Sequence, residues 1–345
     1  MRVLLDIVHP ADVLFFLNPI RRLQQAGHPV CIASRHKDVT TALLDAFELD
    51  HQVLSRAGGG IAALALELVR RDVALLRLAR GFRPDVMCGF GGVAIAHVGK
   101  LLGIPSVSFY DTERAPLQHR LTLPFISHLY VPQSYAGPIA RGRTTRFAGT
   151  KDCSYFHPQN FSPDRELALS AGLAPGSSNF FLRLVSWQAN HDLGYRSWHP
   201  ATLRQLVRSL ATRGRVHVSS ETPLPADLQD CAYRGPVHAV HHLLAHCDCY
   251  IGESATMAGE AVLLGVPAIY ATGDRRCYTD DLAARQLLWK VPDVSVDTVR
   301  RALADIDTLP AAKWRQRVAD YRRGVPNLAE YVVETLFQHA RGRVA

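Results

Sequence analysis

The sequence has no uninterrupted apolar run of about 18 residues, the length that a membrane-spanning helix needs. It has no basic N-terminal stretch followed by an apolar core and a cleavage site, since residues 3–8 already have the pattern of a strand. Its seven cysteines are an odd number without the spacing of a disulfide framework. These absences argue against a transmembrane protein and a small disulfide scaffold, and we expect a soluble protein of the reducing cytoplasm.

The sequence lacks the full glycine motif of a dinucleotide-binding protein and the basic pattern of a nucleic-acid-binding protein. The glycines at 89–92 open a predicted helix, but Ala94 stands where Gly-x-Gly-x-x-Gly needs its third glycine, which argues against a dinucleotide-dependent oxidoreductase. Basic residues outnumber acidic ones by 39 to 31, and this formal charge of +8 favours polyanions, nucleotides or an anionic membrane surface. The arginines are dispersed rather than interleaved with aromatic residues, so we do not expect nucleic acid as a partner.

The chain of 345 residues has the length of two domains. Short β-branched runs alternate with helical patterns in two series, which predicts two doubly wound α/β domains with parallel sheets. A proline-rich polar stretch separates the series. We predict an N-terminal domain over 1–156, a linker region over 157–178, a second domain over 179–325 and a final helix over 326–345. In such sheets, ligands bind beyond the carboxyl ends of the strands.

The segment 250–269 has the pattern of a strand, a tight turn, a helix, a glycine stop and a second strand. Ser254 is placed to cap the helix, whose free N–H groups and dipole favour a phosphate. The small Ala255 allows close approach to that end. Glu260 lies one turn beyond Thr256 on the same face, where its carboxylate could accept both hydroxyls of a ribose. The alternative is a capped structural helix with a solvated Glu260.

The spacing of Ser254, Glu260 and Gly265-Val-Pro267 resembles the donor-site segment of GT-B-type nucleotide-sugar proteins. Examples are the N-acetylglucosaminyltransferase that completes the peptidoglycan lipid precursor and the non-hydrolysing UDP-N-acetylglucosamine 2-epimerase. With the stretches 6–16, 110–115 and 182–192, the chain resembles a poorly characterised domain-of-unknown-function family of glycosyltransferase-like proteins. The resemblance implies a GT-B fold of two Rossmann-like domains facing a cleft, with a C-terminal helix crossing back to the first domain.

At matching positions, the resemblance implies that Ser254 and its neighbours hold the donor's pyrophosphate and Glu260 its ribose. The stretch 235–238 would meet the edge of the base. Arg183 or His191 could neutralise the departing diphosphate and Trp187 could pack on a ring, unless this stretch is a structural loop. The predicted donor residues are Arg183, Trp187, His191, Val237, His238, Ser254, Ala255, Thr256 and Glu260.

Polar side chains also follow strands of the first domain. His9 comes directly after the first strand and is a candidate base for inverting glycosyl transfer. Asp12 could orient its ring on the acceptor side; the alternative is a loop histidine with Asp12 as an ordinary N-cap. Asp111 and Glu113 could serve as base or contact sugar hydroxyls, or could form a polar loop that pairs with Arg114.

This sequence differs from the 2-epimerase in the stretches that carry that enzyme's active-site residues. Glu113 falls where that enzyme has an active-site glutamate, but the neighbouring residues differ. The epimerase's His-Arg-Arg-Glu stretch is absent, and Ser-Trp-Gln-Ala-Asn-His stands at 186–191 instead. This departure argues against epimerase chemistry.

No divalent metal is expected. His238, His242 and His246 recur every fourth residue, which predicts three imidazoles on one helix face, but no Cys-x-x-Cys pair accompanies them. We interpret them as half-buried helix histidines beside core cysteines. The Asp-x-Asp at 305–307 lies in a helical stretch, and we interpret its two aspartates as part of a solvent-exposed helix face rather than as metal ligands.

The resulting hypothesis is a metal-independent glycosyltransferase that moves a sugar from a nucleotide-sugar donor, most simply UDP-linked, to a glycan or lipid-linked acceptor in cell-envelope synthesis. The alternatives are a nucleotide-sugar 2-epimerase or hydrolase, and a non-catalytic nucleotide-sugar-binding or nucleic-acid-binding protein. Residues 61–80 form an amphipathic helix with basic Arg70, Arg77 and Arg80. This helix either packs on its sheet with arginines in water or rests on anionic lipid at the inner face of the membrane.

Overall fold

The computed structural model describes residues 1–56, 58, 60–186, 198–292 and 294–341. The contacts between residues divide the chain into two compact units. Unit 1 comprises Met1–Asn160 and Val325–Ala345, and unit 2 comprises Phe161–Gly324. Helix α6 (Arg165–Ser170) lies inside the stretch 157–178 that the sequence pattern indicates as a linker.

Unit 1 contains a seven-stranded parallel sheet in the order β3-β2-β1-β4-β5-β6-β7. The apolar run of β1 is buried along its whole length, as expected for a central strand covered on both faces. Strand order reverses between β1 and β4, which places the switch point beside the loops after these strands. The strands are β1 (Val3–Ile7), β2 (Val30–His36), β3 (Gln52–Arg56), β4 (Val86–Phe90), β5 (Ser106–Phe109), β6 (His128–Pro132) and β7 (Thr144–Phe147).

Helices connect the strands of unit 1 and cover the sheet. Helix α1 packs against α2, while α3, α4 and α5 contact one another in series. Their apolar faces meet the sheet in a core that includes Leu4, Met87 and Ile95. The helices are α1 (Pro10–Gln25), α2 (Thr40–Ala46), α3 (Ile61–Phe82), α4 (Val93–Leu102) and α5 (Pro116–Thr122), and a 3₁₀ turn (Lys151–Ser154) follows β7.

Unit 2 contains a five-stranded parallel sheet in the order β12-β11-β10-β8-β9. Its core brings Leu182 and Ile251 from the strands together with Leu206 and Val299 from the helices. The strands are β8 (Ser178–Leu184), β9 (Gly214–Ser220), β10 (Cys249–Gly252), β11 (Ala268–Tyr270) and β12 (Trp289–Lys290). After α6, the helices are α7 (Pro200–Ala211), α8 (Val240–Leu244), α9 (Ala255–Leu264), α10 (Cys277–Ala284), α11 (Val296–Thr308) and α12 (Ala311–Arg323).

The last helix, α13 (Leu328–Arg341), returns to unit 1 as predicted, where it packs on α1 and on the 3₁₀ turn. The rings of Phe337 and His28 lie 5.1 Å apart in an edge-on contact. The hydroxyl of Tyr130 on β6 lies 3.0 Å from Nε2 of His339. None of the helices of the described ranges combines the length and the hydropathy of a membrane-spanning segment.

Candidate functional site

The turn between β10 and α9 has the predicted geometry. The hydroxyl of Ser254 accepts a hydrogen bond of 3.2 Å from the backbone N–H of Met257, so Ser254 is the N-cap, as predicted. At Gly252 the backbone of the neighbouring strand comes close: a Cβ there would lie 2.7 Å from the carbonyl oxygen of Arg183. Gly265, with φ of 85°, ends the helix in the left-handed region. This turn therefore places the N-terminus of α9 at the carboxyl edge of the sheet.

Glu260 is buried, with 3% of the residue exposed. Its Oε2 lies 2.9 Å from Nε2 of His241, a buried histidine on α8. The interpretation of Glu260 as a solvated surface residue is therefore wrong, because a buried carboxylate needs a partner and His241 supplies it. Sequence reasoning missed His241, which nothing in the local pattern distinguishes from the three other histidines around it.

A second buried carboxylate, Glu253, stands between the strand and the helix cap and was not singled out from the sequence. It is 2% exposed. One carboxylate oxygen accepts from the backbone N–H of Val185 at 2.9 Å, and the other from that of Trp198 at 3.1 Å. Glu253 thus fixes the backbone that follows β8 beside the turn at Ser254. The sequence feature that could have identified Glu253 is its position directly after a buried parallel strand, where ligand-binding residues of such sheets lie.

The other predicted donor residues fall in three places. Arg183 on β8 donates to the hydroxyl of Ser219 at 2.8 Å and to Glu221 at 2.6 Å, so its guanidinium already pairs with a carboxylate. Val237 and His238 lie half-buried in a 3₁₀ turn before α8. Ala255 and Thr256 form the first turn of α9. Trp187 and His191 lie outside the described residues.

In unit 1, Asp12 lies buried in the first turn of α1. Its Oδ2 accepts a hydrogen bond of 3.1 Å from the backbone N–H of Val8, at the carboxyl end of β1. Burial raises the pKa of the Asp12 carboxyl to about 7, against the opposing effects of that hydrogen bond and of the positive charge of Lys151. At neutral pH this carboxyl can therefore both hold and release a proton.

Lys151 is the residue of unit 1 that sequence reasoning missed. Its Nζ donates to Oδ2 of Asp111 at 2.8 Å, and both side chains are buried. Asp152 lies 4.0 Å from the same nitrogen, and the ring centroid of Phe90 lies 5.7 Å from it. The carboxyl edge of the sheet thus carries four charged residues that follow β1, β5 and β7: Asp12, Asp111, Lys151 and Asp152.

His9 caps α1. Its Nδ1 accepts a hydrogen bond of 3.2 Å from the backbone N–H of Ala11, and Pro10 takes the first helical position. The alternative in which Asp12 is the ordinary N-cap is therefore wrong. In the loop after β5, Glu113 is half-buried and Arg114 is exposed.

The spaced histidines do not share one helix face, contrary to the prediction. The segment folds as a 3₁₀ turn followed by a five-residue helix, so His238 precedes α8 and His246 follows it. Nδ1 of His242 accepts from the backbone N–H of Asp164 at 2.9 Å, and Nδ1 of His246 lies 2.9 Å from the carbonyl oxygen of His242. Within the described part of the chain, no group of three or more His, Cys, Asp or Glu residues is arranged to hold a metal ion.

Comparison with known proteins agrees with the resemblance seen in the sequence. The model of a family described as "Protein of unknown function (DUF354)" matches residues 1–158. An uncharacterized protein of Methanocaldococcus jannaschii, MJ0665, is 20% identical over 295 residues, which cover 81% of this chain and 82% of that protein.

Solved structures match nearly the whole chain. The UDP-GlcNAc 2-epimerase from Neisseria meningitidis bound to UDP-GlcNAc has a TM-score of 0.70 at 13% identity and covers 98% of this chain and 100% of its own. Spinosyn forosaminyltransferase SpnP has a TM-score of 0.68 at 17% identity, with 99% of each chain covered. Spinosyn rhamnosyltransferase SpnG complexed with thymidine diphosphate has 0.62 at 18%, covering 96% and 99%. The chain has the GT-B fold, as the resemblance implied.

Proposed function

We propose that this protein is a metal-independent glycosyltransferase that moves a sugar from a UDP-sugar to a glycan or lipid-linked acceptor in cell-envelope polysaccharide or glycolipid synthesis. The observation that carries the proposal is the buried Glu260–His241 pair, with Glu260 one helical turn beyond Thr256 in the Ser254-capped first turn of α9. This arrangement supplies a carboxylate for a ribose beside N–H groups for a diphosphate. Solved structures of the same fold include transferases and a UDP-GlcNAc enzyme.

The donor half of the reaction is assigned to unit 2. The first N–H groups of α9 and the positive end of its dipole would take the negative charge that develops on the departing diphosphate. Stabilisation of this kind lets the transfer proceed without a divalent cation. Thr256, in the first turn, adds a hydroxyl on the face of α9 that carries Glu260.

The acceptor half is assigned to unit 1, with His9, Asp111 and Glu113 as the groups that could take the proton of the acceptor hydroxyl. The cap bond constrains His9: because Nδ1 accepts from Ala11, the neutral ring carries its proton on Nε2. His9 therefore acts as a base only when the cap bond opens. Asp111 already accepts a hydrogen bond from Nζ of Lys151, so it too must give up a bond to act as the base. Asp12 and Arg114 complete the acceptor side.

A second candidate is 2-epimerisation or hydrolysis of the same nucleotide-sugar, which the likeness to the Neisseria enzyme favours. The two activities differ in what they need. An epimerase or hydrolase forms product from the donor alone, whereas a transferase releases UDP at an appreciable rate only when an acceptor is present. Chromatography of UDP-GlcNAc incubated with the protein, with and without a lipid extract as acceptor, separates them.

The first expected result concerns donor binding. UDP at a hundredfold excess over its Kd should raise the free energy of unfolding by about 2.7 kcal/mol. Glu260→Ala should weaken UDP binding at least tenfold, because the ribose loses its charged acceptor. Thermal unfolding with UDP, GDP, CMP, dTDP, NAD and a short RNA measures both effects. Glu166→Ala, which changes an exposed glutamate of unit 2, is the control. Stabilisation by NAD or RNA alone would contradict the proposal.

A peripheral membrane contact through α3 is part of the same proposal. The structure exposes apolar Leu66, Val69 and Val73 on this helix, with exposed fractions of 51%, 61% and 42%. The basic Arg70, Arg77 and Arg80 are exposed as well. Both acidic residues of α3 are already paired, Glu67 with Arg35 and Asp72 with His97. The face that remains is apolar and basic, which is the composition that anionic lipid attracts.

Vesicle binding tests this contact. We expect the protein to sediment with phosphatidylglycerol vesicles and to be released by salt, with little binding to phosphatidylcholine vesicles. Val69→Glu should abolish most of the binding, because it places a carboxylate in the apolar face. Val53→Glu, at an exposed valine on β3, is the matched control and should bind as the wild type does. Equal loss in both variants would rule out a specific role for α3.

A further inference from the structure

We propose that His241 is a positioning residue for Glu260, and that the pair makes the site selective for a ribonucleoside diphosphate over its 2′-deoxy counterpart. This inference rests on the proposed function, since it takes Glu260 as the ribose ligand. It adds a residue that neither the sequence pattern nor the resemblance marks, and it names a property of the substrate, the 2′-hydroxyl, that the site reads.

The geometry places the two side chains on different elements. His241 belongs to α8, and Glu260 to the middle of α9. Nε2 of His241 lies 2.9 Å from Oε2 of Glu260, and their side chains are only 9% and 4% exposed. A hydrogen bond between two buried side chains is shielded from water, so it fixes the rotation of the carboxylate group.

Fixing Oε2 leaves a defined role for the other oxygen. Across the residues that the structure describes, Oε1 of Glu260 accepts no hydrogen bond. A vicinal diol presents two O–H donors on adjacent carbons. A carboxylate held in one orientation can accept from the 2′-hydroxyl at Oε1 while the 3′-hydroxyl shares the occupied oxygen. A carboxylate free to rotate would accept from a single hydroxyl almost equally well, so it would discriminate less.

The neighbouring histidines serve as a comparison. The hydrogen bonds of His242 and His246 go to backbone groups rather than to a carboxylate. Their bonds therefore stabilise the local loop structure but orient no charged group. His246 is half-buried, near His241, and outside α8, so it offers a matched control for the loss of an imidazole in this segment.

The experiment measures the Kd of UDP and of 2′-deoxy-UDP by calorimetry at pH 7.5. We expect the wild type to bind UDP about tenfold more tightly than 2′-deoxy-UDP, the value of one hydrogen bond to a charged group. His241→Leu should reduce this ratio to about twofold or less and change the Kd of 2′-deoxy-UDP little. His241→Gln, whose amide can donate to Oε2, should keep most of the ratio, and His246→Leu should keep all of it.

The outcomes separate the two proposals. If UDP does not bind the wild type, the proposed function fails and this inference fails with it. If UDP binds but the wild-type ratio is near one, or if His241→Leu keeps the wild-type ratio, the inference alone is overturned. An equal loss of affinity for both nucleotides in His241→Leu shows a merely structural role and also overturns it. Should His241→Leu not fold, His241→Asn, whose amide is too short to reach Oε2, replaces it under the same criteria.

Discussion

Lys151→Met is expected to lower the free energy of unfolding by about 3–5 kcal/mol at pH 7.5. The physical reason is the carboxylate that remains. Asp111 is buried and receives a 2.8 Å hydrogen bond from Nζ of Lys151. Removing the ammonium group leaves a buried negative charge without its counterion, next to Asp152. Urea unfolding followed by circular dichroism gives the free energy directly.

Two further variants show whether the charge is the cause. Combining Lys151→Met with Asp111→Asn removes both charges and should recover at least half of the lost free energy, since a neutral buried pair has no unbalanced charge. Arg22→Met is the control, because Arg22 pairs with Glu330 at a solvent-accessible position and should change the free energy by under about 1 kcal/mol. If the double variant is no more stable than Lys151→Met, lost packing rather than charge explains the effect.

Asp12→Asn is expected to change how stability depends on pH. In the folded protein the pKa of the Asp12 carboxyl is raised from 3.8 to about 7, chiefly by burial. Between these two values the folded protein holds a proton that the unfolded chain has released. This group therefore reduces stability as pH rises from about 4 to about 7 and has a constant effect above that range. Asparagine is neutral throughout and removes this dependence.

Urea unfolding at several pH values from 4.5 to 7.5 tests the prediction. Relative to the wild type, Asp12→Asn should gain about 3 kcal/mol in unfolding free energy between the ends of this range. Asp50→Asn, at an exposed aspartate of the same unit, should follow the wild-type curve. Parallel curves for wild type and Asp12→Asn would mean that the buried carboxyl titrates at an ordinary pKa.

Much of the fold could be predicted because the central elements have strong local patterns. The sequence pattern at 93–102 predicts a helix and the apolar run at 180–185 predicts a strand; the structure has α4 at the first and β8 overlapping the second. Strands β6, β7 and β12 have two to five residues and mixed polarity, so their local pattern does not predict them. They are held in the sheets by pairing with a neighbour rather than by an apolar pattern of their own.

The candidate site likewise has one part that the local sequence predicts and another that depends on how distant elements pack. The cap at Ser254 is visible in the sequence because a serine stands between an apolar strand and an apolar helix. The His241–Glu260 pair joins side chains 19 residues apart on two helices, and only the packing of those helices brings them together. The position of Lys151 could not be predicted because the sequence does not predict β7. Without that strand, the residues that follow it could not be placed at the edge of the sheet.

The return of α13 to unit 1 has a consequence for synthesis on the ribosome. Residues 1–160 emerge first, but the helix that covers α1 and supplies Phe337 and His339 emerges last, after all of unit 2. The apolar surface of α1 that α13 covers therefore stays exposed in the nascent chain while the uninterrupted segment 161–324 is made and folds. Unit 2 is thus the part able to finish folding during translation, whereas unit 1 becomes complete only after the last helix leaves the exit tunnel.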